Sequence, residues 1–281
     1  MIRSVFKDNR IGMNQEFRFR GQNQTRLETF SDAVFALSIT LLIVSSSVPE
    51  SFEDMVKVFA DFIPFALCMA LITYIWYEHF LFFIRFGFRN TRIVLLNGIL
   101  LFLILFFVYP LKFLSKMLVG IYIRPLIRAF GGNAEWIMGP GEMINDITEM
   151  SVVIIVYGLF GASIFGLMAL MYRYALKNKE ALELNELEIF DTVTSQRSLL
   201  IMCGVPLFSV LIALLLRNSL WGGVLGGFSY MLYIPLFIFF GSRARKKRAA
   251  LLTAVNDLAE PTIDSPPQQV AATNKEKSQE A

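Results

Sequence analysis

Six apolar runs occupy most of this chain, at about 28–47, 57–84, 92–117, 150–175, 198–217 and 220–241. Each approaches or exceeds the ~18–20 residues that carry a helix across a bilayer. The stretch Ile99–Val108 reads Ile-Leu-Leu-Phe-Leu-Ile-Leu-Phe-Phe-Val and has no polar face, whereas a soluble helix shows one at helical spacing. Hydrophobic residues make up 55% of the chain and charged residues 17%, a balance that few soluble domains have. In lipid every backbone polar group must be satisfied within its own segment, which leaves helices for runs of this length. The expected class is an all-α integral membrane protein with six transmembrane helices per subunit.

Charge orients the helices. With the N terminus in the cytoplasm, twenty of the 26 Lys and Arg fall on the inner side and six on the outer. Positive charge stays inside, so both termini are expected to be cytoplasmic, in a multi-pass protein. Three regions follow: a cytoplasmic N-terminal segment 1–27, a six-helix membrane domain 28–242 and a disordered cytoplasmic tail 243–281. The outer connection 118–149 is long, with a short interfacial helix expected at Ile121–Phe130. The inner stretch Asn178–Ser195 reads as a helical linker on the membrane surface. Arg243–Arg248 is a topology and anionic-lipid signal rather than a nucleic-acid site. Cys68 and Cys203 lie in apolar runs and read as small buried hydrophobes.

The first apolar run opens with Arg26-Leu-Glu-Thr-Phe30-Ser31-Asp32. A carboxylate within a membrane helix is costly and marks a functional or architectural site. At ~100° per residue, Leu37, Thr40, Leu41 and Val44 form one stripe with Phe30 below it, and Asp32 lies roughly 130° away. The stripe and the acid therefore cannot face the same axis. Ser31, Ser38 and Ser45 form a third stripe, of small residues that permit close helix approach. Candidate partners for Asp32 are His79, the single histidine, and Asn97, with Trp76 one turn before His79. Together they form either a proton relay or a satisfied polar knot that fixes helix packing. Pro64, Pro110, Pro206 and Pro235 are expected to kink their segments. The chain has no TVGYG-like filter, no GxxxxGK[ST], HExxH, GxSxG or CxxC, and no arginine ladder of a voltage sensor. No enzyme and no cofactor are expected.

Arg26-xxx-Phe30-Ser31-Asp32 with Ala33 and Thr40, Trp76-xx-His79, and Asn97-xxx-Leu101 with Pro110 together resemble the transmembrane protein 175 family, the lysosomal and bacterial potassium channels. The resemblance covers roughly the first 115 residues. It implies a single-repeat bacterial member in the inner (cell) membrane, assembling with itself as a homotetramer in contact with lipid. Helix 1 would line a central pore without a P-loop filter. Leu37 would be the narrow apolar ring, Thr40 a hydroxyl layer passing transient K⁺, and Leu41 and Val44 the outer lining. Arg26, Phe30, Ser31, Asp32, Trp76, His79 and Asn97 would form an inter-helix network. The family often carries Leu or Ile where Val44 stands. The alternative reading is a proton-coupled secondary transporter using Asp32 and His79.

Overall fold

The computed structural model describes residues 17–44, 49–132 and 147–259, with six positions between 133 and 146. Ser45 and the tail beyond 259 lie outside the described residues. The described chain is helical, and six of its helical stretches are long and apolar enough to cross a membrane.

The elements in order are α1 (Arg26–Val44), α2 (Phe52–Ala60), α3 (Phe62–Phe86), α4 (Thr91–Leu118), a π-turn (Val119–Ile123), α5 (Arg124–Ala129), α6 (Ile147–Lys177), α7 (Glu186–Leu215), α8 (Leu220–Phe228), a 3₁₀ turn (Ser229–Leu232) and α9 (Tyr233–Ala259). The starts of α1, α4 and α7 and the ends of α3 and α6 lie at one end of the bundle, called here the N-terminal end. α1 packs on α3 and α4, α4 packs on α6, and α6 and α7 form the longest antiparallel pair. α6 offers the small residues Gly158, Ala162 and Gly166, so α7 approaches it closely.

Local chemistry sets the helix ends. Asn90 caps α4, its side chain accepting the Ile93 N–H at 3.2 Å. Gly87 ends α3 in the left-handed region at φ 61°, a conformation that glycine adopts without steric cost. At the far end, Lys116 Nζ on α4 lies 2.7 Å from Asp61 Oδ2 at the α2–α3 corner. Pro64 sits in the first turn of α3, where a missing N–H leaves no orphan. Pro206 cannot bond the Met202 carbonyl one turn back. The Tyr233 hydroxyl donates to that carbonyl instead, at 2.9 Å.

Several expectations shift. The surface linker expected at 178–195 is a run of turns over 178–183, and the chain then enters α7 at Glu186 without a break before the span. The short helix expected at 121–130 continues α4 through a π-turn. The sixth run is broken by a 3₁₀ turn at 229–232. The helix α9 then passes the boundary expected at residue 242 and runs to Ala259, so residues 243–259 are helix rather than disordered tail. That stretch is rich in Ala, Leu, Arg and Lys, all strong helix formers. Its Arg248 holds Asp191 of α7 at 3.0 Å.

Candidate functional site

α1 is the element on which the site is built. Thr25 caps it, and Glu28 completes a capping box: the Glu28 N–H donates to Thr25 Oγ1 at 3.2 Å, and the Thr25 N–H donates to Glu28 Oε2 at 2.6 Å. One face then packs on the subunit. Ser31, Val34, Phe35, Ser38 and Leu42 are buried. Ser31 and Ser38 return their hydroxyl protons to Leu27 and Val34 carbonyls at 2.8 Å each, which leaves no bare hydroxyl where the helices close together.

The opposite face takes no part in the subunit's core. Leu37 is 50% exposed, Leu41 39% and Val44 70%. Thr40 is exposed beside them, its hydroxyl proton committed to the Ala36 carbonyl at 3.0 Å. The oxygen's lone pairs are left to point outward. This is the stripe expected from the helical wheel, lying wholly on the outside of one subunit.

Two polar networks tie α1 to its neighbours. In the first, His79 Nε2 and Asn97 Oδ1 are 2.7 Å apart, and Asn97 Nδ2 donates to Ser31 Oγ at 2.9 Å. Because the Asn97 amide nitrogen faces Ser31, its oxygen faces the imidazole, and Nε2 carries the proton. Phe35 and Phe83 flank the imidazole, with ring centroids 5.5 and 4.7 Å away. One asparagine therefore joins α1, α3 and α4. In the second network, Asp32 Oδ1 accepts the Trp76 indole N–H at 2.9 Å, and Asp32 Oδ2 accepts from Gln24 Nε2 at 3.1 Å.

Asp32 thus takes partners other than the expected His79 and Asn97. On its own wheel it flanks the buried face and stays partly exposed, reaching Trp76 and the chain before α1. Trp76 stacks on Phe80 with centroids 5.8 Å apart. Arg26 is exposed and Phe30 is 60% exposed, and neither enters the two networks. A buried face has room for only some of seven residues, and these two point to the stripe side. Cys68 meets the Ser115 hydroxyl at 3.0 Å. Among the described residues no three Asp, Glu, His or Cys side chains converge on a metal site.

The sequence reading passed over a third cluster at the N-terminal end. The Glu188 side chain is fully buried and meets Arg18 Nη2 at 3.1 Å and Arg20 Nη2 at 2.8 Å. Asn185-xx-Glu188 is a capping-box pattern visible in the sequence. The arginines lie about 170 positions away, and no spacing could have paired them. The hydrogen bond to Glu188 and its charge raise the Arg18 pKa above the ordinary arginine value.

Comparison with known proteins follows the same residues. The family model for the endosomal/lysosomal potassium channel TMEM175 matches residues 26–107, which span α1, α2, α3 and most of α4. A protein of Marivirga tractuosa named as a potassium channel is 46% identical over 255 residues, 89% of this chain and 99% of the relative. A potassium channel of Chamaesiphon minutus is 28% identical over 120 residues, 40% of this chain and 59% of that one. Among solved structures, a threonine-to-alanine variant of the potassium channel MtTMEM175, bound to a nanobody–MBP fusion, superposes with a TM-score of 0.70. It shares 44% identity, covering 84% of this chain and 99% of that one.

Proposed function

This chain belongs to the endosomal/lysosomal potassium channel TMEM175 family, and from that membership we propose a homotetrameric, potassium-permeable cation channel with α1 at its axis. One observation carries the pore assignment: Leu37, Thr40, Leu41 and Val44 share the α1 face left out of the subunit's core. The opposite face is hydrogen-bonded to α3 and α4 through Ser31, Asn97 and His79, which fixes the rotation of α1 about its own axis.

Four copies of that face around an axis make stacked rings. The Leu37 ring closes by dewetting, because a narrow apolar neck does not hold a water column. A modest widening admits water and the cations it carries. Thr40 lies one turn further along. Its hydroxyl proton is spent on Ala36, so each subunit offers oxygen lone pairs to a passing K⁺. Those oxygens replace part of the ion's hydration shell, the role that backbone carbonyls fill in filter-bearing channels. Leu41 and Val44 line the outer part. Asp32 lies off this face and acts on helix packing. The excess of Lys and Arg on the N-terminal side supports both termini in the cytoplasm, and the family resemblance implies a bacterial inner (cell) membrane.

The test is reconstitution of the purified chain in vesicles, with reversal potentials measured in opposed K⁺ and Na⁺ gradients. The expected result is a K⁺-selective current, with selectivity reduced by Thr40→Ala. Absence of current, or indifference to both Thr40→Ala and Leu37→Ala in folded tetramers, refutes the pore assignment. Saturable uptake driven by a pH gradient would return the case to the transporter.

A further inference from the structure

Glu188 carries a charge at a place where conduction along α1 asks for none. As the acid of the α7 capping box it accepts the Asn185 N–H at 3.1 Å, and one carboxylate oxygen suffices for that. Both oxygens are nevertheless engaged by two arginines. Oε1 accepts from Arg18 Nε and Arg20 Nη1, each at 3.2 Å, and from the Arg18 backbone N–H at 2.8 Å. Oε2 accepts from Arg18 Nη2 at 3.1 Å and Arg20 Nη2 at 2.8 Å. A fully buried carboxylate persists only with such a set of charge-assisted bonds.

The arginines belong to a strap, residues 17–21, that crosses the N-terminal end of the bundle just before α1. The strap is pinned along its length. The Arg20 and Gly21 N–H groups donate to the Arg85 and Ile84 carbonyls at 3.3 and 3.0 Å. Arg20 Nε donates to the Leu182 carbonyl at 2.7 Å. Phe17 is buried edge-on against Phe86, with the Arg85 guanidinium 5.1 Å from its ring centre. A Cβ on Gly21 would stand 2.1 Å from the Phe83 carbonyl oxygen, so the backbone lies flat on the end of α3. From Gly21 to Arg26 at most ~17 Å of chain remains, and Gln24 draws it in by bonding Asp32.

We propose that Glu188 is a positioning residue of the pore: by clamping Arg18 and Arg20 it anchors the N-terminal end of α1 to α3 and α7 and so holds the Leu37 ring closed. This rests on the reading that α1 lines the pore. α1 contains neither proline nor glycine, so it moves as a rod. Leu37 is eleven residues from Arg26, ~16 Å along that rod. A small tilt at the anchored end therefore reaches the ring, and an apolar neck responds steeply to small widening.

The test uses the full chain in vesicles. The primary variant is the triple Arg18→Gln/Arg20→Gln/Glu188→Gln, which removes the clamp and leaves no buried charge unpaired. Glu188→Gln alone keeps a side-chain oxygen for the Asn185 cap. Resting K⁺ efflux is expected to rise at least about threefold in both, with unit conductance and reversal potential as in the unmodified channel. The triple should gain no more than the single, because both remove one shared interaction. Amide exchange over residues 26–32 should accelerate about tenfold. Unchanged efflux in a folded tetramer overturns the proposal, even where exchange accelerates. Altered unit conductance or reversal potential overturns it too, since the lining itself has then changed. If the unmodified chain carries no current, the pore reading fails instead; exchange then decides the clamp alone, faster exchange keeping it as the anchor of α1 and unchanged exchange removing it.

Discussion

Replacing Asn97 with leucine removes the hub that joins α1, α3 and α4, and the structure sets the scale of the loss. Ser31 still donates to the Leu27 carbonyl after the change, so it forfeits only an accepted bond. Pairwise hydrogen bonds of that kind between membrane helices average about 0.6 kcal/mol. His79 fares worse. It is 2% exposed, and its Nε2–H would face leucine with no acceptor, at about 1–3 kcal/mol for an orphaned buried donor. The orphan dominates, and the sum is about 2–3.5 kcal/mol. At about 2–4 °C per kcal/mol for a chain of this size, the thermal midpoint of the detergent-solubilised protein should fall by about 4–14 °C. The decisive arm is His79→Phe/Asn97→Leu, which removes donor and acceptor together and should regain at least half of the loss. A midpoint shift below about 1 °C in Asn97→Leu, or a double variant no more stable than the single, refutes the assignment of Nε2–H to Asn97.

Three further outcomes follow from other contacts. Leu37→Ala widens the neck and should raise resting K⁺ efflux at least about fivefold in vesicles; unchanged efflux removes Leu37 from the gate. Asp32→Asn retains an oxygen for the Trp76 N–H but turns an amide nitrogen toward Gln24, so it loses charge assistance and the exposed Gln24 bond, about 1–2 kcal/mol together; a folded tetramer should conduct with an unaltered pH profile, and abolished transport would favour a proton relay instead. Gly87→Ala imposes a side chain at φ 61°, about 1–2 kcal/mol, with its Cβ 2.9 Å from the Arg20 carbonyl oxygen; trypsin should then cut faster after Arg18 and Arg20, and an unchanged cleavage rate would show that the strap is held elsewhere.

The legible and illegible parts of this molecule divide by the range of the interaction. Apolar length and 3.6-residue periodicity are local properties, so the six spanning runs could be read directly, as could the angle between Asp32 and the Leu37–Val44 stripe. Capping boxes at Thr25–Glu28 and Asn185–Glu188 are equally local, and the reading passed over them. The partners of Asp32 were not legible. A wheel says which way a side chain leaves its helix, but Trp76 won the carboxylate over His79 through the offset between α1 and α3, and that offset comes from packing. The polar composition of 243–259 hides its helical course, because the tie from Arg248 to Asp191 that holds it on α7 joins residues far apart in sequence.

The sequence by itself determined that this chain crosses a membrane in six passes, which way its positive charge lies, and that one helix carries an apolar stripe with a single hydroxyl. These follow from transfer free energies and backbone geometry within single segments. Only the tertiary structure decided that the stripe is left outside the subunit's core, that Asn97 locks the roll of α1, and that Glu188 grips two arginines about 170 residues away in sequence. Such pairings depend on where close-packed helices bring distant residues together, and no pattern within one segment contains that information.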